Sequence, residues 1–289
     1  MKLWISRAHT VPISIRLECS IGWRNTSTLT PKMVIDILRG VRISNLIMGI
    51  RLSVPNCVEM LSCCSQIIHC SFTRITLDSD MQILLRNPIL LPYLQSLWLW
   101  TDCDISQLFH SLTLPGLTTL SVEYPNRLID DLWPQSEFVS LNSRSVCRLQ
   151  KLRLHQVTIT SDMLIACLTC VASITEASIK DGAQCLNDNV LAAMTFQPHE
   201  GIPLCPRLEV IRFNGHAYSD QAFVDMVESR WEYSKVLTSA TSQVSPQVSC
   251  LKTVRVKMHT KNGDPWKRLQ KFHGEGLDTM GPEVDVIPS

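Results

Sequence analysis

Cysteine and histidine side chains are the first candidates for chemistry in this chain, because thiolates and imidazoles are the usual ligands of zinc. Cys167 and Cys170 form a C-x-x-C pair. A denser group comprises Cys57, Cys63, Cys64, His69 and Cys70. The pair lies one turn apart on an expected helix with no second pair at zinc-finger spacing, and the spacing of the group fits no familiar site. We therefore predict buried thiols and no metal site.

Two pairs of aspartates could act as acid and base in hydrolysis. They are Asp102 with Asp104, and Asp130 with Asp131. Aspartates that directly follow a strand usually form turns instead, and the sequence lacks the G-x-S-x-G, G-x-x-x-x-G-K and G-x-G-x-x-G patterns. We predict no catalytic residue, no cofactor and no enzymatic activity. The alternative in this class is a hydrolase whose site is scattered over loops.

The length and composition of the chain are sufficient for helices and strands that fold around a sizeable core. The chain has 289 residues, of which 45% are hydrophobic and 18% charged. The formal net charge of +1 gives no general reason to bind nucleic acid or an acidic membrane. Arg7 and His9 interrupt any signal-like start, and Met163 to Ile174 is too short to span a bilayer. We predict a cytoplasmic and/or nuclear protein with reduced cysteines.

An L-x-x-L-x-L pattern recurs along the chain, and such a recurrence is typical of repeat proteins. Most occurrences follow a proline or cysteine by one or two residues, and several precede helix-start signals. Those signals are Thr160-Ser161-Asp162, Asn187-Asp188 and Ser219-Asp220. The eight occurrences are Ile43/Leu46/Met48, Phe72/Ile75/Leu77, Leu94/Leu97/Leu99, Leu117/Leu120/Val122, Leu149/Leu152/Leu154, Ile174/Ala177/Ile179, Leu208/Ile211/Phe213 and Leu251/Val254/Val256.

Strand, turn and helix in repetition predict an α/β fold, namely a curved leucine-rich-repeat solenoid with a parallel sheet on its concave side and helices on its convex side. We predict one irregular array over residues 1–289. It comprises a divergent part (1–42), repeats (43–232), a mobile Ser/Thr-rich insertion (233–249), and a last repeat with a cap (250–289). In the cap, Trp266, Leu269 and Phe272 share one side of a short helix.

Four stretches of the chain carry a resemblance to known proteins, namely WPQSEF at 133–138, CRLQKL at 147–152, LCPRLE at 204–209 and SDQAFVDMVESRW at 219–231. They are similar to a large fungal family of F-box proteins with divergent leucine-rich repeats. The similarity extends from about Leu91 to the C-terminus, and Leu3 to Arg7 with Pro12 to Ile15 resembles the family more loosely.

This resemblance implies the substrate-recognition part of an SCF-type ubiquitin ligase, in which an F-box docks a Skp-type adaptor. No Leu-Pro-x-Glu-type helix start occurs in this sequence, so we expect the adaptor as a partner only if an F-box lies upstream. The alternative is a stand-alone leucine-rich-repeat scaffold without a ubiquitin role, including a truncated or degenerate member of the family. Both are protein-binding functions with no nucleic acid or membrane partner.

The expected binding surface follows from strand alternation, which turns the residues between the leucines toward the concave face. Over the last four strands this face carries six basic residues against one acid, Glu176. We expect it to bind an acidic or phosphorylated segment of a target protein; the alternative is that its charges only keep an exposed sheet soluble. The two tryptophans either anchor a partner or lie under a loop. The candidate residues are Trp98, Trp100, Lys151, Arg153, His155, Lys180, Arg212, Arg255 and Lys257.

Overall fold

The chain divides into two compact units, Met1–Leu149 and Gln150–Ser289, where the sequence alone predicts one array. The structure is a computed structural model. It describes residues 2–8, 11–18, 30–39, 42–76, 87–125, 133–180, 185–197, 203–215, 217–239, 248–259 and 263–279.

The first unit alternates strands with helices. Its elements are β1 (Lys2–Ala8), β2 (Val11–Glu18), α1 (Pro31–Leu38), β3 (Ile43–Gly49), β4 (Leu52–Ser53), α2 (Val54–Ser62), β5 (His69–Thr76), β6 (Ile89–Leu90), β7 (Ser96–Thr101), α3 (Ser106–His110), β8 (Leu112–Thr113), β9 (Thr119–Glu123) and α4 (Gln135–Ser145). Strands β2, β3, β5, β7 and β9 are parallel neighbours in that order, and β1 pairs with β2 in the antiparallel sense. Short strand β4 pairs with β5, and β6 pairs with β8.

The second unit repeats this alternation. Its elements are β10 (Lys151–His155), α5 (Ser161–Cys170), β11 (Glu176–Lys180), α6 (Asp188–Met194), β12 (Val210–Asn214), α7 (Asp220–Ser239), β13 (Thr253–Val256) and α8 (Asp264–Gly274). Its four strands are parallel neighbours in sequence order. The α/β class with parallel strands is therefore confirmed.

Each core lies beneath the alternate, apolar residues of the strands. In β10, Leu152 and Leu154 are each 1% exposed, whereas Lys151 is exposed and Arg153 and His155 are half-buried. Consecutive helices pack on one another, α1 to α4 in the first unit and α5 to α8 in the second. Each strand-plus-helix segment thus shields its apolar residues against its neighbours. No helix in the described part of the chain combines the length and apolarity needed to cross a membrane.

The positions of seven of the eight predicted strands are confirmed, and the second is wrong by five residues. In β5, Cys70 lies opposite Leu46 and Leu97, so Ile67, Cys70 and Phe72 occupy the three apolar positions. All three are at most 3% exposed. The prediction failed because a cysteine stands where the pattern requires a leucine. Leu77, the last residue of the predicted triplet, lies outside the described residues.

A shared backbone carbonyl fixes the start of several strands. In these L-x-x-L-x-L stretches the residue after the first apolar position provides this carbonyl. Its oxygen accepts hydrogen bonds from two consecutive N–H groups at the start of the next strand segment, at 2.7–3.1 Å. In the first unit the acceptors are Ile68 and Gln95, and in the second they are Gln150, Thr175 and Glu209. The same backbone arrangement therefore recurs within each unit.

The predicted helix starts are confirmed. Thr160 caps α5 by accepting from the Met163 N–H at 3.2 Å, and Asn187 caps α6 by accepting from the Val190 N–H at 3.2 Å. The Ser219 hydroxyl accepts from the Ala222 N–H at 3.1 Å at the start of α7. These side chains satisfy N–H groups that have no partner within the helix.

The mobile insertion predicted at 233–249 falls partly on a helix. Helix α7 continues to Ser239, so the assignment of a loop is wrong for 233–239, and residues 240–247 lie outside the described part. The Tyr233 ring packs on Phe196 with 3.9 Å between ring centroids. This aromatic contact favours continuation of the helix, which the polar composition of the segment does not suggest.

Candidate functional site

One face of the sheet in the second unit is lined by polar side chains in matching rows. Register places Arg153, Ser178, Arg212 and Arg255 side by side across the four strands. A second row joins Lys151 to Glu176, and a third joins His155, Lys180 and Asn214. We call these nine residues the charged face.

Glu176 is the centre of the charged face. Its carboxylate accepts from Arg153 Nη2 at 2.9 Å and from Arg212 Nη1, and Lys151 Nζ lies 3.2 Å from its other oxygen. The Glu176 side chain is only 8% exposed, whereas those of Lys151 and Arg153 are 46% and 38% exposed. The carboxylate therefore lies beneath basic groups that reach the solvent.

These neighbours keep Glu176 ionised. Burial by itself raises the pKa of a carboxyl group. The hydrogen bond from Arg153 and the charges of Arg212, Arg153 and Lys151 together outweigh that effect, and the pKa of Glu176 falls below its ordinary value. At neutral pH the Glu176 carboxylate thus lies ionised among the three cations Lys151, Arg153 and Arg212.

Arg255 has a separate partner that sequence reasoning missed. Its two terminal nitrogens donate to the two oxygens of Asp278 at 2.8 and 2.9 Å. Asp278 is held beside β13 because its N–H donates to the Lys252 carbonyl at 3.1 Å and its carbonyl accepts from the Val254 N–H at 2.8 Å. The paired charges cancel, so Arg255 adds little net charge to the face. Lys257, which follows β13, is exposed.

The third row of the charged face, His155, Lys180 and Asn214, is polar throughout. His155 Nε2 and Ser178 Oγ lie 3.1 Å apart. Asn214 Oδ1 is buried and accepts no hydrogen bond from any described residue. Lys180 is half-buried. A buried acceptor on a surface of this kind marks a position where a donor from another molecule would be favourable.

The two candidate tryptophans belong to the first unit and are both half-buried. Trp98 lies opposite Ser71 on one side and Ser121 on the other, and these serines are 8% and 9% exposed. Trp100 lies opposite Glu123. On this face Trp98 thus lies between two serines, and Trp100 lies beside the acidic residue Glu123.

The groups considered for metal binding and catalysis take structural positions. No three described histidine, cysteine or acidic residues are placed to hold a metal ion. Burial raises the pKa of Cys57 and Cys70, and it raises that of Cys64 to about 12, which disfavours the nucleophilic thiolates. Asp104 accepts from the Ser106 N–H at 2.8 Å and so forms the turn before α3. Asp130 and Asp131 lie outside the described residues.

Sequence reasoning also missed two polar contacts within the second unit. Asp220, 8% exposed, accepts from the His259 N–H and lies 2.9 Å from His259 Nδ1, which ties the start of α7 to the segment after β13. Arg230 is fully buried and donates to the carbonyls of Met194, Cys205 and Leu204 at 2.8, 3.1 and 2.6 Å. No local pattern in the sequence signals either contact, since the partners lie 25 to 39 residues away.

Comparison with known proteins gives no family for the chain. A scan of protein-family models and a search of curated proteins each found no match.

Proposed function

We propose that this chain is a non-catalytic protein-binding module built from leucine-rich-repeat-like segments, and that the charged face binds an acidic segment of a partner protein. The observation that carries the proposal is the surplus of basic groups aligned in register on that face. Six basic residues lie on it or directly beside it, together with the carboxylates of Glu176 and Asp278.

The recurrence of one backbone arrangement supports the repeat interpretation. Parallel strands begin at Ile43 or shortly after Ile67, Leu94 and Leu117, and these four residues lie at intervals of 24, 27 and 23 residues. These intervals match the ~20–29 residues of leucine-rich repeats. In such proteins the leucines build the interior and the intervening residues select the partner, which makes the charged face the natural binding surface.

The chemistry of the charged face favours acidic partners over other ligands. Guanidinium groups bind carboxylates and phosphates through paired hydrogen bonds. Several half-exposed cations on one rigid sheet would also attract an acidic segment at a distance. The same surface would repel basic proteins, so charge alone would provide part of the specificity.

The resemblance to fungal F-box proteins favours a specific kind of protein binding, namely the recognition of a target protein for ubiquitin ligation. In that role the charged face would select the target, and a Skp-type adaptor would bind through an F-box upstream. A stand-alone scaffold in the cytoplasm or nucleus is the alternative. Recovery of a Skp-type adaptor at stoichiometric level would separate the first role from the second.

The proposal is tested by affinity capture from fungal cell extract with the full chain as bait. The variant Lys151→Gln/Arg153→Gln removes one exposed and one half-buried cation from the charged face. The control variant Arg207→Gln/Lys271→Gln removes two exposed cations elsewhere in the second unit. We expect the first variant to lose the captured partners and the control to retain them.

Neutral glutamine is preferable to glutamate in this test. An acidic residue at position 153 would place a second carboxylate beside buried Glu176 and could unfold the unit. Thermal unfolding of each variant confirms that the bait is folded. Equal capture by the wild type and by a folded Lys151→Gln/Arg153→Gln variant would reject the charged face as the binding surface.

A further inference from the structure

A row of polar side chains crosses the strands of the first unit. Strand register places its members side by side, one on each of β2, β3, β5, β7 and β9. The row faces away from the core, because the residues that follow it on three of these strands, Leu46, Leu97 and Leu120, are fully buried. We call it the polar row, and it consists of Ser14, Asn45, His69, Ser96 and Thr119.

The polar row has hydrogen-bonding capacity that the described part of the chain does not use. Within the described ranges, no side chain of the row donates to or accepts from another residue, and none of its polar atoms is buried. His69 is exposed and the other four residues are half-buried. Hydroxyl, amide and neutral imidazole groups each donate and accept. Five such groups at intervals of about 4.8 Å suit a ligand whose own groups are closely spaced and also donate and accept.

Trp98 adds an aromatic group beside the polar row. It follows Ser96 by two residues on the same face of β7, a distance of about 7 Å along the strand. Trp98 is half-buried, and its indole nitrogen is neither buried nor bonded to an acceptor within the described ranges. The indole therefore reaches the solvent. It offers an N–H donor and an electron-rich ring that attracts C–H groups.

These properties distinguish between classes of ligand. The polar row contains no lysine or arginine, so it lacks the cations that bind the phosphates of nucleic acids. Peptides bind to sheets mainly through a free strand edge and apolar pockets, whereas the polar row crosses the face of paired strands. A sugar ring has hydroxyl groups around its rim, each of which donates and accepts, and C–H groups on its flat faces. The first set matches the polar row and the second matches Trp98.

We propose that the polar row and Trp98 bind a neutral oligosaccharide. One sugar ring packs its C–H face against Trp98, and its hydroxyl groups form hydrogen bonds with Ser96 and Thr119. Further sugars extend along the row toward His69 and Asn45. This inference concerns the first unit and goes beyond the proposed binding of an acidic segment by the charged face. Each of the two stands if the other fails.

The test measures retention of the full chain on four immobilised neutral oligosaccharides, built from glucose, mannose, galactose or N-acetylglucosamine. We expect retention on at least one of them. Ser96→Ala/Thr119→Ala removes two hydroxyl groups from the row and should weaken that retention about tenfold. The control Thr113→Ala removes a half-buried threonine hydroxyl from β8, outside the row, and should bind like the wild type. Thermal unfolding confirms that each variant is folded.

Tryptophan fluorescence provides a readout that a purely structural residue would not change. Addition of the retained oligosaccharide should change the fluorescence of the wild type, because a sugar ring then covers Trp98. Trp98→Phe keeps an aromatic ring and should still be retained more strongly than Trp98→Ala. Its fluorescence should no longer respond to the sugar. A response that persists in Trp98→Phe would contradict the stacking on Trp98.

Three outcomes would overturn the proposal. The first is no retention on any of the four oligosaccharides, and the second is equal retention of the wild type and a folded Ser96→Ala/Thr119→Ala variant. The third is retention on a pool of neutral peptides with none on the oligosaccharides. Lys151→Gln/Arg153→Gln should leave oligosaccharide retention unchanged, since the charged face belongs to the second unit. Loss of retention in that variant would contradict the location of the site.

Discussion

The polar faces of the strands in the two units share one backbone arrangement and differ in chemistry. In the first unit the central row is Arg16, Ile47, Ser71, Trp98 and Ser121, in which Arg16 on β2 is charged and the other four residues are not. The corresponding row of the second unit is Arg153, Ser178, Arg212 and Arg255. The buried positions beside both rows are occupied by leucine and other apolar residues.

This difference separates the residues that maintain the fold from those that select a partner. The apolar positions must remain large and hydrophobic, because each fills the space beneath a neighbouring helix. The intervening positions point away from that core, and their chemistry can change without loss of packing. A single backbone plan can thus carry an aromatic surface in one unit and a charged one in the other.

A second comparison concerns two arginines that hold loops to helices. Arg144 of α4 donates to the carbonyls of Phe109, His110 and Leu112, at the end of α3 and beyond. Arg230 of α7 performs the same task at the end of α6. Arg230 is 0% exposed, and burial lowers its pKa to about 10, which still leaves it protonated at neutral pH. Arg144 is only half-buried.

The largest effect is therefore expected at Arg230. Arg230→Met removes the guanidinium donors from the carbonyls of Met194 and Leu204 and leaves the Cys205 carbonyl with the Leu208 N–H alone. We expect a loss of about 3 kcal/mol in the free energy of unfolding. Arg144→Met should cost about 1 kcal/mol, because water can replace the guanidinium there. Chemical denaturation measures the loss, and hydrogen exchange of β11 and β12 compared with β7 and β9 assigns it to a unit. Equal losses for the two variants would show that burial does not distinguish them.

A smaller effect is expected at Glu176, which has a lowered pKa. The ionised form stabilises the folded chain above the ordinary carboxyl pKa of about 4.3, and this contribution disappears as the pH falls through the folded pKa. Glu176→Gln should therefore cost about 1–2 kcal/mol at pH 7 and progressively less below about pH 4. Denaturation at both pH values measures the difference.

Glu209→Gln is the matched control for this prediction. Glu209 pairs with Lys252 at 2.6 Å, but the two side chains are 31% and 66% exposed. Its removal should cost less than about 0.5 kcal/mol, as expected for a surface ion pair. A cost for Glu176→Gln that persists unchanged at pH 3 would contradict the assignment of the stabilisation to the ionised carboxylate.

The smallest effects are expected at two threonine helix caps, one in each unit. Thr160 accepts from the Met163 N–H at 3.2 Å, and Thr30 accepts from the Met33 N–H at 3.4 Å. Thr160→Ala should cost about 1 kcal/mol and Thr30→Ala about 0.5 kcal/mol, since Pro31 already favours the start of α1. Serine at either position should restore stability in thermal unfolding. A destabilised Thr160→Ser variant would argue against the hydroxyl as the stabilising group.

The sequence predicted the strands well because their signal is local. Apolar spacing and helix-capping residues lie within a few positions of each other, and they located every strand of the second unit. The same pattern gave the wrong position for β5, because Cys70 occupies a position where the L-x-x-L-x-L pattern requires a leucine. The continuation of α7 was missed because Tyr233 is stabilised by Phe196, which lies far away in the sequence.

The candidate site was predicted only in outline. Strand alternation placed Lys151, Arg153, Arg212 and Glu176 on one face, but it could not reveal that all three basic groups form ion pairs with this acid. Glu176 lies 23 residues from Arg153 and 36 from Arg212, so the ion pairs depend on strand register. Asp278 pairs with Arg255 for the same reason and has no local signal. Sequence reasoning therefore overestimated the net charge of this surface.

Hydrogen exchange of the full chain, with and without a saturating partner recovered by affinity capture, tests the central claim most directly. If the charged face is the binding surface, amide exchange will slow in β10, β11 and β12 on addition of the partner, and that in β7 and β9 will not change. Slower exchange confined to β7 and β9, or to the helices, would show that the partner binds elsewhere and would contradict the account.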